Sequence, residues 1–173
     1  MHLVTELLQG GTLTEYIGRN PQGLAEEECI DLLKQMLEGY LHIKNKNIIH
    51  RDIKPDNILF RSKPEEGKKE VVLIDFGYCC MESVRNSPKR VYNLGSPKYM
   101  APEAFKDCRY SEKSDIWGFG VTFFQMLTGK TCDDGMTIND FMDSVIKKGG
   151  VPIPDKFSTF VKHLLQTMLC VDA

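Results

Sequence analysis

The stretch IIHRDIKPDNILF, Ile48 to Phe60, decides how this sequence is read. Between its apolar ends sit two carboxylates, Asp52 and Asp56, two cations, Arg51 and Lys54, and the amide Asn57. Moving a phosphoryl group asks a protein for positioned groups more than for covalent chemistry. It needs a carboxylate to align the acceptor, oxygen ligands for a hard cation, and positive charge to offset the transferring phosphate. Asp52 supplies the carboxylate, Lys54 two residues on supplies the charge, and Asn57 supplies an amide oxygen. LIDFG, 73–77, adds a second carboxylate, Asp75, at the end of a strand and before a flexible Gly77.

Working outward, NILF and VVLID read as two short strands, joined by an exposed polar loop, RSKPEEGKKE. Upstream, Ala25 to Lys44 reads as an amphipathic helix, with Cys29, Ile30, Leu33, Met36, Leu37, Tyr40 and Leu41 on one face. Glu26, Glu27 and Glu28 lie in its first turn, where the helix dipole favours negative charge. TLTEYI is expected to form one or two helical turns, and LVTELL at the start to be the end of a buried strand.

Downstream, 78–100 shows no sustained periodicity and reads as a long irregular loop of the functional kind. SDIWGFGVTFFQML, 114–127, is apolar almost all round and is expected to be a buried central helix stopped by Gly129. The next helix starts at an N-cap, Thr137, and stops at Gly149, with Ile138, Phe141, Met142, Val145 and Ile146 as its stripe. The last carries Phe157, Phe160, Val161, Leu164, Leu165, Met168 and Leu169. The expected fold class is α+β, mainly helical with a small β element.

Composition narrows the function classes. The 173 residues suit one domain, and 42% hydrophobic with 27% charged residues is ordinary for a globular chain. A net charge of −2 gives no electrostatic reason to expect nucleic acid or a membrane surface as partner. No apolar run is long enough to span a bilayer, and the N-terminus has no secretory pattern. Six Cys without paired spacing point to reduced thiols in an intracellular, cytoplasmic setting, and against zinc.

Four motifs in order, HRDIKPDN, DFG at 75–77, GSPKYMAPE at 95–103 and SDIWGFG at 114–120, make the chain resemble the large lobe of a eukaryotic Ser/Thr protein kinase. The resemblance covers nearly the whole chain. It implies ATP and Mg2+ as cofactors and protein Ser/Thr hydroxyls as substrate. Asp52 is then the catalytic carboxylate, Lys54 the cation at the transferring group, and Asn57 and Asp75 the magnesium ligands. Glu6, Leu7 and Leu8 correspond to the hinge whose backbone meets adenine, with Thr5 as gatekeeper and Leu59 beneath the ring. Ser96 is implied to contact Asp52 and Lys54, Arg51 to gather a phosphate or acid, and Asp115 to bond the backbone of the catalytic stretch. His50 reads as a packing residue, since Asp52 takes the base role. GSPKYMAPE and the C-terminal segment look like the calmodulin-dependent or Unc-51-like groups.

The pattern has departures. No glycine-rich phosphate loop and no strand lysine precede the hinge, so the expectation is a partial domain, small lobe absent, nearly inactive alone. The arginine that pairs with the glutamate of the APE segment, here Glu103, is not found downstream. Thr12 stands where the family often has an acid, leaving Asp56 for a ribose or substrate contact. Ser87, Tyr92 and Ser96 are candidate phosphosites. The alternatives are a non-catalytic kinase-like scaffold and a small-molecule kinase. The second generally lacks both the APE segment and the D-x-W-x-x-G helix seen here.

Overall fold

In a computed structural model, residues 4–81 and 95–171 are described. The molecule is built round one helix, α4 (Glu112–Thr128). Its start is fixed by Ser111, whose side chain accepts from the Ser114 N–H while Ser114 bonds back to the Ser111 N–H. Its end is fixed by Gly129, at φ 72°, which also lets the chain pass Pro21 closely: a Cβ there would lie 2.4 Å from the Pro21 carbonyl oxygen. Trp117, Phe119, Val121, Phe123 and Met126 are buried on several sides of α4, which is why its sequence shows little amphipathic contrast.

Two helices, α2 (Glu26–Lys44) and α6 (Thr159–Met168), pack on it. α2 buries Cys29, Leu32, Leu33, Met36 and Tyr40, with Ala25 as its N-cap residue. α6 approaches where Gly120 leaves room for Leu169. α5 (Ile138–Lys148) is capped by the Thr137 side chain, which accepts from the Asp140 N–H, and buries Phe141, Met142 and Val145. Among the described residues, short α1 (Leu13–Gly18) and α3 (Pro102–Asp107) complete the α-helices.

Two small antiparallel pairs carry the middle of the chain. β1 (Ile48–Ile49) pairs with β4 (Cys80–Met81), and β2 (Ile58–Phe60) with β3 (Val71–Leu73) in the register Leu59 to Val72. The polar stretch 50–57 is thus slung between two strands and laid against α4. Gly118 of α4 sets the distance: a Cβ there would lie 2.9 Å from Ile53 Cβ and 3.1 Å from its carbonyl oxygen.

The opening segment departs from expectation. Residues 4–9 form no strand, and Val4 and Leu7 are 92% and 81% exposed. Its first backbone bonds are made by the N–H groups of Gln9 and Gly10, to Arg61 and Phe60. Thr5 is exposed, not part of a buried strand. Ile146 and Phe160 also turn outward, at 44% and 61% exposure. α3 had no periodic signal because it is short and begins at Pro102, a residue suited to a first turn. The 78–100 loop is described only at its ends, and Ser87 and Tyr92 lie outside the described residues. Among the described residues no helix is long and apolar enough to cross a membrane.

The Gly118 contact yields a prediction. In a helix interior Gly→Ala alone stabilises by about 1 kcal/mol, whereas forcing a methyl into a packed core costs about 1–3 kcal/mol. The two nearest atoms facing Gly118 are a Cβ and a backbone oxygen, which no rotamer change removes, so packing wins. Gly118→Ala is expected to lower stability by about 1–2 kcal/mol. Gly39→Ala, on α2 with nothing within 4 Å, is expected to raise it. Urea unfolding of both variants checks the sign.

Candidate active site

Asp115 organises the stretch. Its Oδ2 accepts from the His50 N–H at 2.7 Å and the Tyr40 hydroxyl at 2.9 Å, and its Oδ1 accepts from the Arg51 N–H at 2.8 Å. Burial pushes its pKa up against these three donors. Holding two successive N–H groups bends the backbone so that Arg51 sits at φ 69°, a conformation a non-glycine residue adopts only when its surroundings impose it. The role expected of Asp115 toward the backbone is the contact found.

His50 is fully buried. Its Nε2 faces the Ile74 carbonyl oxygen at 3.2 Å, so that nitrogen donates, and its Nδ1 accepts from the Asp52 N–H at 3.3 Å. Both ring nitrogens are used by a neutral imidazole, and burial lowers its pKa. The ring packs beside Phe76 at 5.4 Å between centroids. This is the packing role read from the sequence.

Asp52 is 4% exposed. Its Oδ2 accepts from the Asn57 amide at 2.9 Å and lies 3.1 Å from Lys54 Nζ. Its Oδ1 is buried and has no partner. Asn57 Nδ2 also donates to the Asp52 carbonyl oxygen at 2.8 Å, so the amide nitrogen is spent on Asp52 and the amide oxygen is left for another partner. Lys54 donates to Ser96 Oγ at 2.7 Å. Ser96 therefore meets Lys54, as expected, and reaches Asp52 through it. Gly95, at φ 100°, allows this: a Cβ would lie 2.7 Å from the Arg51 carbonyl oxygen. A cavity of about 20 Å³, one water in size, opens between Asp52, Ser96, Tyr99 and Met100.

Asp75 is exposed, at φ 61°, with Oδ1 accepting from the Gly77 N–H at 3.0 Å. It is tied to the cluster through the backbone, because the N–H of the preceding Ile74 donates to the Asn57 carbonyl oxygen at 2.9 Å. Asn57 and Asp75 thus stand as an amide and a carboxylate on adjoining segments. That set suits Mg2+, which takes few protein oxygens and keeps waters and phosphate oxygens for the rest. Among the described residues no group of three or more His, Cys, Asp and Glu side chains converges on a point.

The other anticipated residues are more scattered. Leu59 is half-buried on β2 and bridged to Thr12. Leu8 is half-buried, and Glu6 is exposed and ion-paired with Arg61. Among the described residues no hydrogen bond or ion pair joins Glu6 or Leu8 to the Asp52 cluster. Asp56 is exposed in the 3-10 turn Pro55–Asn57. It lies near enough to Tyr99 to add to the upward pKa shift that burial gives the phenol. Arg51 Nε donates to the Tyr78 carbonyl, and its guanidinium lies 5.5 Å from the centre of the Tyr110 ring. Glu103 has a partner within the chain, and its backbone carbonyl accepts from the Arg109 N–H at 3.1 Å.

Sequence reasoning missed the supporting contacts: Tyr40 on Asp115, Tyr99 on Gln125 at 2.7 Å, and Lys98 on Asp133 at 3.0 Å. They join residues far apart in the chain, and no local spacing signals them.

A family model described as "Protein kinase domain" matches residues 1–173. The chain is similar to the serine/threonine-protein kinase CLA4 of Candida albicans, 34% identical over 98% of this chain and 17% of that protein. It is also similar to CLA4 of Saccharomyces cerevisiae, at 32% identity over 98% of this chain and 20% of that protein. With atg1 of Dictyostelium discoideum it shares 28% identity over 99% of this chain and 25% of that protein. The chain thus spans a quarter or less of the length of these relatives.

Proposed function

This chain belongs to the protein kinase domain family, and from that premise we propose that the polypeptide carrying it transfers the γ-phosphoryl group of ATP to Ser or Thr hydroxyls of proteins. The single observation that carries the reading is Asp52 Oδ1, a buried carboxylate oxygen with no partner beside a lysine and an amide. A buried acceptor is costly to leave unpaired, and an acceptor hydroxyl completes it.

The proposed roles are as follows. ATP supplies the transferable group, and Mg2+ offsets its charge. Asp52 takes the hydroxyl proton at Oδ1, while Oδ2 stays engaged with Asn57 and Lys54. Lys54, 3.1 Å from Asp52 and 2.7 Å from Ser96, places positive charge where negative charge accumulates. The Asn57 amide oxygen and the Asp75 carboxylate would hold the metal. Glu6 and Leu8, through their backbone, and Leu59, through its side chain, form the adenine face, with Asp56 toward ribose or peptide. Six free thiols accord with an intracellular setting.

These 173 residues by themselves are expected to turn over slowly. Asp75, Phe76 and Gly77 are exposed, and a site open to water loses much of the advantage of its fixed charges. The test is transfer from labelled ATP to protein substrates by the native polypeptide, followed by phosphoamino-acid identification. Label on Ser or Thr that disappears when EDTA removes the metal is the expected result. Label on Tyr overturns the substrate class. Nucleotide binding without transfer supports the scaffold reading instead.

A further inference from the structure

The 3-10 turn Pro97–Tyr99 is pinned at two successive residues. Tyr99 donates to Gln125 Oε1 on α4 at 2.7 Å. Lys98 Nζ lies 3.0 Å from Asp133 Oδ2, in the connection between α4 and α5. The two partners differ in exposure, 6% for the Asp133 side chain and 55% for that of Lys98.

Ion pairs between exposed side chains contribute little. This one differs, because a carboxylate already out of water keeps its desolvation cost when its cation is removed. Burial alone would raise the pKa of Asp133. The Thr131 hydroxyl and Lys98 outweigh it and hold the carboxyl below its usual range.

At its other end the same turn begins at Ser96, which accepts from Lys54, itself 3.1 Å from Asp52. A path of a few contacts therefore runs from Asp133 to the catalytic cluster. Ser96, Tyr99 and Met100 line the same small cavity as Asp52, so the turn forms a wall beside its unpartnered carboxylate.

We propose that the Lys98–Asp133 ion pair positions the acceptor peptide: it holds the 95–99 turn against the α4–α5 connection and so fixes the wall along which a hydroxyl reaches Asp52. This rests on the protein-kinase reading of the site. Lys98 is a positioning residue and touches none of the groups assigned to nucleotide or metal. Those groups, Glu6, Leu8, Asp56, Leu59, Asn57 and Asp75, stand on other segments.

The experiment compares the native polypeptide with its Lys98→Ala, Asp133→Asn, double and Lys98→Arg variants, using as acceptor the best Ser-containing peptide from an unbiased library. Each Ala or Asn variant is expected to raise the peptide KM about fivefold, with the double variant no worse than either single one. The KM for ATP stays put, and Lys98→Arg returns the peptide KM to near wild type. Hydrogen exchange supplies a readout that needs no turnover. The Tyr99 and Met100 amides, bonded to the Ser96 and Pro97 carbonyls at 2.9 and 3.3 Å, exchange faster in Lys98→Ala while α4 stays protected.

Unchanged exchange in the turn overturns the proposal. So does faster exchange with an unchanged peptide KM, or a parallel rise in both KM values with a lowered Tm. A wild-type protein that transfers nothing overturns the reading of function instead, and the exchange data tell that failure apart from a missing tether.

Discussion

Asp52→Asn is expected to cut kcat by about 10²- to 10⁴-fold, the range lost with a general base. The substitution keeps shape and volume, so the effect is chemical. Oδ1 is the unpartnered oxygen, and Oδ2 is engaged by Asn57 and Lys54. An amide in that place can still satisfy one or both neighbours but cannot take a proton from a hydroxyl. Binding of ATP rests on other residues, so its KM should move little, the pattern of an interaction made in the transition state. Steady-state kinetics with both substrates varied is the measurement. Retention of roughly a tenth or more of the wild-type kcat removes Asp52 from the base role.

The second large effect is structural. Asp115→Ala is expected to destabilise the fold by about 3–5 kcal/mol, because it leaves the buried His50 and Arg51 N–H groups without their acceptor. Those bonds are 2.7 and 2.8 Å long. Losing them also releases Arg51 from its left-handed conformation, and the Asp52 carboxylate follows it in the chain. Activity should therefore fall further than the folded fraction does. Urea unfolding gives the stability term. Turnover measured cold, where the variant is still folded, gives the other. A variant with wild-type kcat per folded molecule shows that Asp115 supports the fold and not the site.

Legibility in the sequence followed the range of the interactions. α2 and α5 announced themselves through one-sided apolar spacing, and α5 also through its Thr137 cap, because those forces act within a few residues. Asp52, Lys54 and Asn57 were readable because all three lie within one short segment that folds onto itself. The β2–β3 hairpin was readable for the same reason. The opening segment misled, because Val4, Leu7 and Leu8 look like a buried strand while burial depends on what lies opposite. Ile146 and Phe160 misled likewise: a stripe predicts a face, and the neighbouring element decides how much of it is covered. The Lys98–Asp133 and Tyr99–Gln125 contacts had no local signature, since tertiary packing alone brings those residues together.

The bond from Asp115 to His50 closes a loop of 65 residues, and the one to Arg51 a loop of 64. A nascent chain that has just cleared Asn57 holds the three central side chains but no acceptor for the backbone that aims them. Loop closure of this span comes late, since its entropic cost is met only when the helix that rewards it has formed. During synthesis the site should therefore appear as an abrupt, delayed event, timed by the emergence and packing of α4. Until then the nascent polypeptide has Asp52 in its sequence but not the backbone conformation that aims it.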